Sequence, residues 1–173
     1  MTPVDPYRCA AFTGHRSCRR EADALLMQAL ERCHAAGITT FLSGMAVGFD
    51  LAAAEAVLKL RARNPDVRLI AVLPFREQPL RFPPKERQRF EQILRQADEK
   101  VILAETCHKG CYLMRNDYLI AHAATLIAWY DGSPGGTRYT VRRALQCNRR
   151  IIHLHPETPR SAAPMPELFN RQI

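Results

Sequence analysis

The chain has 173 residues, of which 47% are hydrophobic and 24% charged, and its net charge is +8. That composition is ordinary for one soluble globular domain with room for a real core. The apolar runs are too short to span a bilayer, and the stretch from Met1 to Arg8 lacks the apolar core of a signal peptide, so the expected compartment is the cytoplasm.

In chain order, Arg8 to Phe12 is a short apolar run. Glu21 to Ala36 carries Leu26, Ala29, Leu30 and Cys33 at helical spacing and ends at Gly37. Thr39 to Ser43 reads as a strand. Asp50 to Arg63 is an alanine-rich helix with Ala54, Val57 and Leu58 on one face, stopped before Asn64-Pro65. Val67 to Leu73 is a strand ended by Pro74. A polar, proline-containing stretch from Phe75 to Pro84 leads into a charged helix, Lys85 to Gln96, striped by Phe90, Ile93, Leu94 and Ala97. Lys100 to Ala104 is a strand, Tyr112 to Ala123 a helix, and Thr125 to Tyr130 a strand. Thr137 to Gln146 is a helix and Arg150 to His155 a last strand. This divides the chain into a domain at 1–155 and a loose tail at 156–173.

Strands alternating with helices predict an α/β fold. The expectation is a single Rossmann-like, doubly wound, mainly parallel sheet of about six strands, with helices on both faces and right-handed crossovers. Cys9, Cys18, Cys33, Cys107, Cys111 and Cys147 lack the spacing of a disulfide framework and read as free thiols. Cys107 and Cys111, with His108 and His122 nearby, lack the second ligand pair of a structural zinc site, so no metal is expected. The basic charge suits a polyanion or a phosphorylated ligand. It is almost all arginine and spread along the chain, which a GC-rich coding sequence explains equally well.

Six of the eight glycines, Gly14, Gly44, Gly48, Gly132, Gly135 and Gly136, fall just after the first, second and fifth predicted strands. In a doubly wound sheet those positions share the carboxyl edge, where such folds bind ligands. The loops Ser43 to Asp50 and Asp131 to Thr137 both run from strand through glycines into helix. Such loops gather backbone N–H groups at the positive end of a helix, an arrangement suited to phosphate. Neither Gly44-x3-Gly48 nor Gly135-Gly136-Thr137 is a dinucleotide fingerprint or a P-loop.

Thr13-Gly-His-Arg16, Leu42 to Glu55, Arg115-Asn-Asp117 and Tyr130 to Thr137 together resemble the YpsA family of the SLOG superfamily, over about residues 7–155. Its relatives include the DNA-processing protein DprA and the LOG phosphoribohydrolases. The resemblance implies a Rossmann-like domain holding a nucleotide-type ligand, of the ADP-ribose kind, at the strand carboxyl ends, with no further cofactor required. It also implies an option to form homo-oligomers, though no stripe of the sequence demands one. LOG enzymes carry a glutamate shortly after a glycine-rich P-G-G motif. Here Pro134-Gly-Gly-Thr-Arg-Tyr-Thr-Val141 has none, so phosphoribohydrolase activity does not carry over.

The expected ligand-binding set is Gly14, His15, Arg16, Ser43, Gly44, Met45, Gly48, Asp50, Arg115, Asn116, Asp131, Gly135, Gly136 and Thr137. Arg16 is a candidate for gripping phosphate. Asp50 either binds a ribose hydroxyl or caps its helix. Glu55 either points into the cleft as a base or is solvated; with Asp50 it is the weak candidate for catalysis. Tyr130 is a candidate for stacking on a base, while Trp129 belongs in the core. Thr140 reads as a helix cap, and His153 and His155 either bind metal or mark the exposed side of a strand. Three functions follow in order: a small nucleotide-binding or sensing domain, an N-glycosidic hydrolase acting on a nucleotide, and a DprA-like binder of single-stranded DNA. No membrane partner is expected.

Overall fold

The computed structural model describes residues 5–157. The expected tail, 156–173, lies outside the described residues apart from its first two. Six parallel strands form one sheet: β1 (Cys9–Gly14), β2 (Thr40–Ser43), β3 (Arg68–Leu73), β4 (Glu99–Ile102), β5 (Thr125–Trp129) and β6 (Arg150–His153). Five helices connect them: α1 (Asp23–Ala35), α2 (Phe49–Arg61), α3 (Pro84–Gln96), α4 (Cys111–His122) and α5 (Gly136–Gln146). The spatial order is β4-β3-β2-β1-β5-β6. The chain winds outward from β1 to β4, crosses back to β5 on the other side of β1, and winds outward again.

The central strands are near-continuous apolar runs because helices cover both faces. On one face Ala10, Phe12, Phe41, Leu69 and Ala71 pack against Leu26 and Leu30 of α1, Val57 of α2, and Phe90 and Ile93 of α3. On the other, Cys9, Ala11, Leu42, Val72 and Ala128 pack against Leu119 and Ile120 of α4 and Val141 and Ala144 of α5. The alanines of α2 (Ala52, Ala53, Ala54, Ala56) are all buried, and their small side chains let this helix sit close to its neighbours. A chain of aromatic contacts runs through the first layer. Phe12 stacks on Phe41 at 6.1 Å, and Phe49 stacks on Trp129 at 6.4 Å. Full burial of each such ring contributes roughly 1.5–3 kcal/mol. Gly14, at the end of β1, lies against this spine; a Cβ there would stand 2.5 Å from the Phe49 side chain.

Element ends differ from the sequence reading where pairing decides them. β1 runs on to Gly14 because Thr13 and Gly14 still have partners, Ala128 and Trp129 of β5. β4 runs from Glu99 to Ile102, its last residue paired with Leu73 at the end of β3, and Pro74 follows directly. β6 stops at His153, and His155 turns to meet Trp129 edge-on at 4.7 Å. The six cysteines are free thiols. No helix among the described residues is long and apolar enough to cross a membrane.

Candidate functional site

The strand order reverses between β1 and β5, and the two connections leaving their carboxyl ends go to opposite faces of the sheet. A cavity of about 340 Å³ opens there. That is the crevice where open α/β sheets take ligands, and its volume falls within the range of small-molecule sites. Phe12, Thr13, Gly14, His15 and Arg16 form its β1 side. Tyr112, Leu113, Arg115 and Asn116 of α4 form a second wall, and Gly135, Gly136 and Thr137 a third. From the loop between β2 and α2 only Ala46 reaches the lining, joined by Asp50 from the first turn of α2.

The two glycine loops therefore play different parts. The β2–α2 loop is packed from within. Ser43 Oγ, fully buried, donates to the Asp50 carbonyl at 3.0 Å and accepts from the Met45 amide at 3.1 Å. The Phe49 amide, first of α2, donates to the His15 carbonyl at 3.2 Å. Asp50 supplies an acid in the first turn of α2, and its Oδ2 accepts from the Ala46 amide at 3.4 Å. The positive end of this helix is already answered by the chain itself. Gly48 has φ +90°, and a Cβ there would lie 2.5 Å from the Arg16 carbonyl oxygen, so its glycine serves close backbone packing. A Cβ on Gly44 would collide with the Arg115 guanidinium. Ser43, Gly44, Met45 and Gly48 thus stand behind the cavity wall.

The α5 loop is open. Gly135 is the N-cap, at φ 140° and ψ −165°, a conformation essentially reserved for glycine. It makes no side-chain capping bond, and the first turn of α5 carries no acid. A Cβ on Gly136 would meet only the Asn116 Nδ2, at 3.9 Å. That Asn116 nitrogen has no hydrogen-bond partner among the described residues, although the residue is only 8% exposed. Thr137, also 8% exposed, lines the same space. Thr140 does not cap the helix; its hydroxyl donates back to the Gly136 carbonyl at 2.9 Å.

Charge in the cavity comes from Arg16, Arg115 and Asp50. Arg115 is buried, with Nε donating to Asn116 Oδ1 at 2.8 Å and Nη1 donating to the Gly44 carbonyl and, at 3.4 Å, to Asp50 Oδ2. The Arg16 guanidinium lies over the Tyr112 ring at 5.8 Å and makes no ion pair among the described residues. Burial pushes the Asp50 carboxyl up from 3.8 to about 6, against the pull of Arg115, the Ala46 amide and Arg16. The folded protein therefore binds this proton more tightly than the unfolded chain does. The resulting stability is complete below about pH 4 and is lost as the pH rises through about 6. Stability measured by urea denaturation, referenced to Asp50→Asn, is expected to fall by about 3 kcal/mol between those limits, at about 1.4 kcal/mol per tenfold change in proton affinity. A flat difference would mean that Asp50 is ionised throughout.

The expected acids do not converge. Glu55 lies outside the lining, its carboxylate held by Arg89 at 2.8 Å through Nη2. Asp131 stands outside it too. Bonds from Ser133, and then the neighbouring His15, hold its carboxyl down at about 2, with His15 Nε2 at 2.8 Å from Oδ1. Asp50 alone of the three lines the cavity. Tyr130 is buried, with its ring 5.9 Å from that of His15, and the tyrosine that lines the cavity is Tyr112. Tyr112 shares a helix face with Arg115 and Asn116 at i, i+3 and i+4, a spacing that sequence alone displays. Gln78 was also unforeseen. It is 1% exposed and donates to the Met45 carbonyl at 3.1 Å, bracing the β2–α2 loop. No group of three potential metal ligands occurs among the described residues.

Fold and cavity together define an open, parallel, doubly wound α/β domain with a polar cleft at its switch point. The family model described as the YspA SLOG family matches residues 7–154, and the chain belongs to that family. It is 30% identical over 132 residues to the SPbeta prophage-derived protein YoqJ of Bacillus subtilis, covering 68% of this chain and 77% of that one. It is 31% identical over 106 residues to a UPF0398 protein of Halalkalibacterium halodurans, covering 60% and 56% of the two chains. Among solved structures, the fold matches DNA processing protein A of Streptococcus pneumoniae with a TM-score of 0.61 at 21% identity, covering 85% of this chain and 50% of that one. It also matches the Helicobacter pylori protein of the same name, whose structure addresses single-stranded DNA binding. There the TM-score is 0.61 at 18% identity, and 86% and 65% of the chains are covered. The chain spans about half the length of the Halalkalibacterium and Streptococcus proteins.

Proposed function

We propose that this domain binds a small phosphorylated nucleotide, of the AMP or ADP-ribose kind, with a phosphate at the N-terminal end of α5. The observation that carries this reading is the uncapped, acid-free start of α5, facing an Asn116 amide nitrogen that has no hydrogen-bond partner among the described residues. Backbone N–H groups and the helix dipole favour an anion there. Arg16 adds an exposed positive charge, and Tyr112 offers a ring face beside it for a base. Asp50 is left to accept from a ribose hydroxyl.

The test is a thermal-shift panel of AMP, ADP-ribose, NAD and short single-stranded DNA, with each hit followed for product. A nucleotide at about a hundred times its Kd stabilises the fold by about 2.7 kcal/mol, which raises Tm by roughly 5–10 °C for a chain of this size. A shift without product supports a binding or sensing domain. Release of free base would make the domain a hydrolase, with Asp50 as its acid. A second reading, single-stranded DNA binding, is favoured by the fold shared with the Helicobacter pylori protein and by the charge of +8. It requires a shift with DNA alone, falling steeply with salt.

A further inference from the structure

The loop entering α4 holds two thiols that the cavity does not use. Cys107 is exposed, Cys111 is buried as the first residue of α4, and their sulfurs lie 3.7 Å apart. Between them Gly110 takes φ +85°, with nothing within 4 Å of the Cβ position, so the turn has room to tighten. The Cys111 amide donates to the His108 carbonyl at 3.2 Å, folding the loop back on itself. A bonded pair of sulfurs sits at about 2.05 Å. Closing the remaining gap is within the reach of side-chain rotation.

We propose that Cys107 and Cys111 form a reversible disulfide and make this loop a modification site for peroxides. The Cys107 sulfur attacks the O–O bond, giving a sulfenic acid and one water. The Cys111 sulfur then attacks the sulfenic sulfur, the S–S bond forms, the S–O bond breaks, and a second water leaves. Two thiols and one hydrogen peroxide become one disulfide and two waters, with sulfur oxidised and peroxide oxygen reduced. A dithiol reverses it. Burial pushes Cys9, Cys18 and Cys33 up to about 11, so these thiols stay inert. Cys107 is raised as well, by desolvation and by its bond with Cys111, so what sets it apart is its exposure and the neighbouring sulfur rather than its acidity. The bond would tie the exposed loop to the turn of α4 that carries Tyr112, at the cavity wall.

The test uses the full chain treated with hydrogen peroxide, alkylated, and digested with trypsin. Cleavage after Lys109 separates the two cysteines onto peptides 101–109 and 110–115. The expected result is that the two leave as one linked species, lost on treatment with dithiothreitol and absent from Cys107→Ser. Separate peptides with both thiols still alkylated would overturn the proposal. So would oxidation of Cys107 to sulfinic acid, or bonds from it to Cys147 or to another chain.

Discussion

Arg115→Met is expected to destabilise the fold by about 3–5 kcal/mol near pH 8, the usual loss when one partner of a buried ion pair is removed. Methionine fills most of the volume but donates nothing. The Gly44 carbonyl, Asp50 Oδ2 and Asn116 Oδ1 each lose a donor in a site where Arg115 is 6% exposed. The loss should shrink below about pH 6, because there Asp50 takes up a proton and leaves no bare charge. Asp50→Asn in the same chain should restore part of the stability, since it removes the charge that Arg115 answered. Arg115→Lys keeps the charge without the fork and should fall between. Urea denaturation of the single and double variants at about pH 5 and about pH 8 measures the coupling. Equal losses at both pH values, or strictly additive losses, would show that Arg115 acts here as a packing residue.

The alternation of elements was legible because each apolar run is closed by a glycine, a proline or a polar turn. Pro74 ends β3 and Asn64-Pro65 ends the approach to it, while Gly37 follows α1. The carboxyl edge was legible for the same reason, since the glycines cluster there. What each glycine is for was not. Gly44 and Gly48 are required by Arg115, 71 residues away in sequence, and by the Arg16 carbonyl; neither neighbour follows from local spacing. The same limit hid the fate of Glu55, whose partner Arg89 comes from α3. Gln78 was hidden by its setting. In a polar, proline-containing stretch a glutamine reads as surface, yet this one is buried because two loop carbonyls need its amide. Arg115 belongs to the expected ligand-binding set, and its burial follows from the small Gly44 beneath it. Tyr112 shares the Arg115 face at a spacing the sequence displays, whereas Tyr130, which closes a strand, is buried outside the cavity lining.

Gly136→Asp should abolish nucleotide binding while leaving the fold intact, and it is the sharpest test of the α5 assignment. The backbone there is ordinary helix, and a Cβ meets only the Asn116 amide at 3.9 Å, so the side chain is accommodated. An acid in the first turn of a helix is stabilising by about 0.3–1 kcal/mol, so Tm without ligand should hold or rise slightly. The carboxylate would take the place proposed for the phosphate, accepting from the Asn116 amide itself. Like charges brought together in a desolvated site cost several kcal/mol, so affinity should fall at least about a hundredfold. Gly136→Asn, nearly the same size and uncharged, separates blockage from repulsion. It should weaken binding less, and its effect should not depend on salt. Isothermal titration with whichever nucleotide gives the largest thermal shift measures both variants. Unchanged affinity in Gly136→Asp would remove the phosphate from α5 and move it to Arg16 on the opposite wall. Lost binding with an intact Tm would tie the unanswered start of α5 to the ligand.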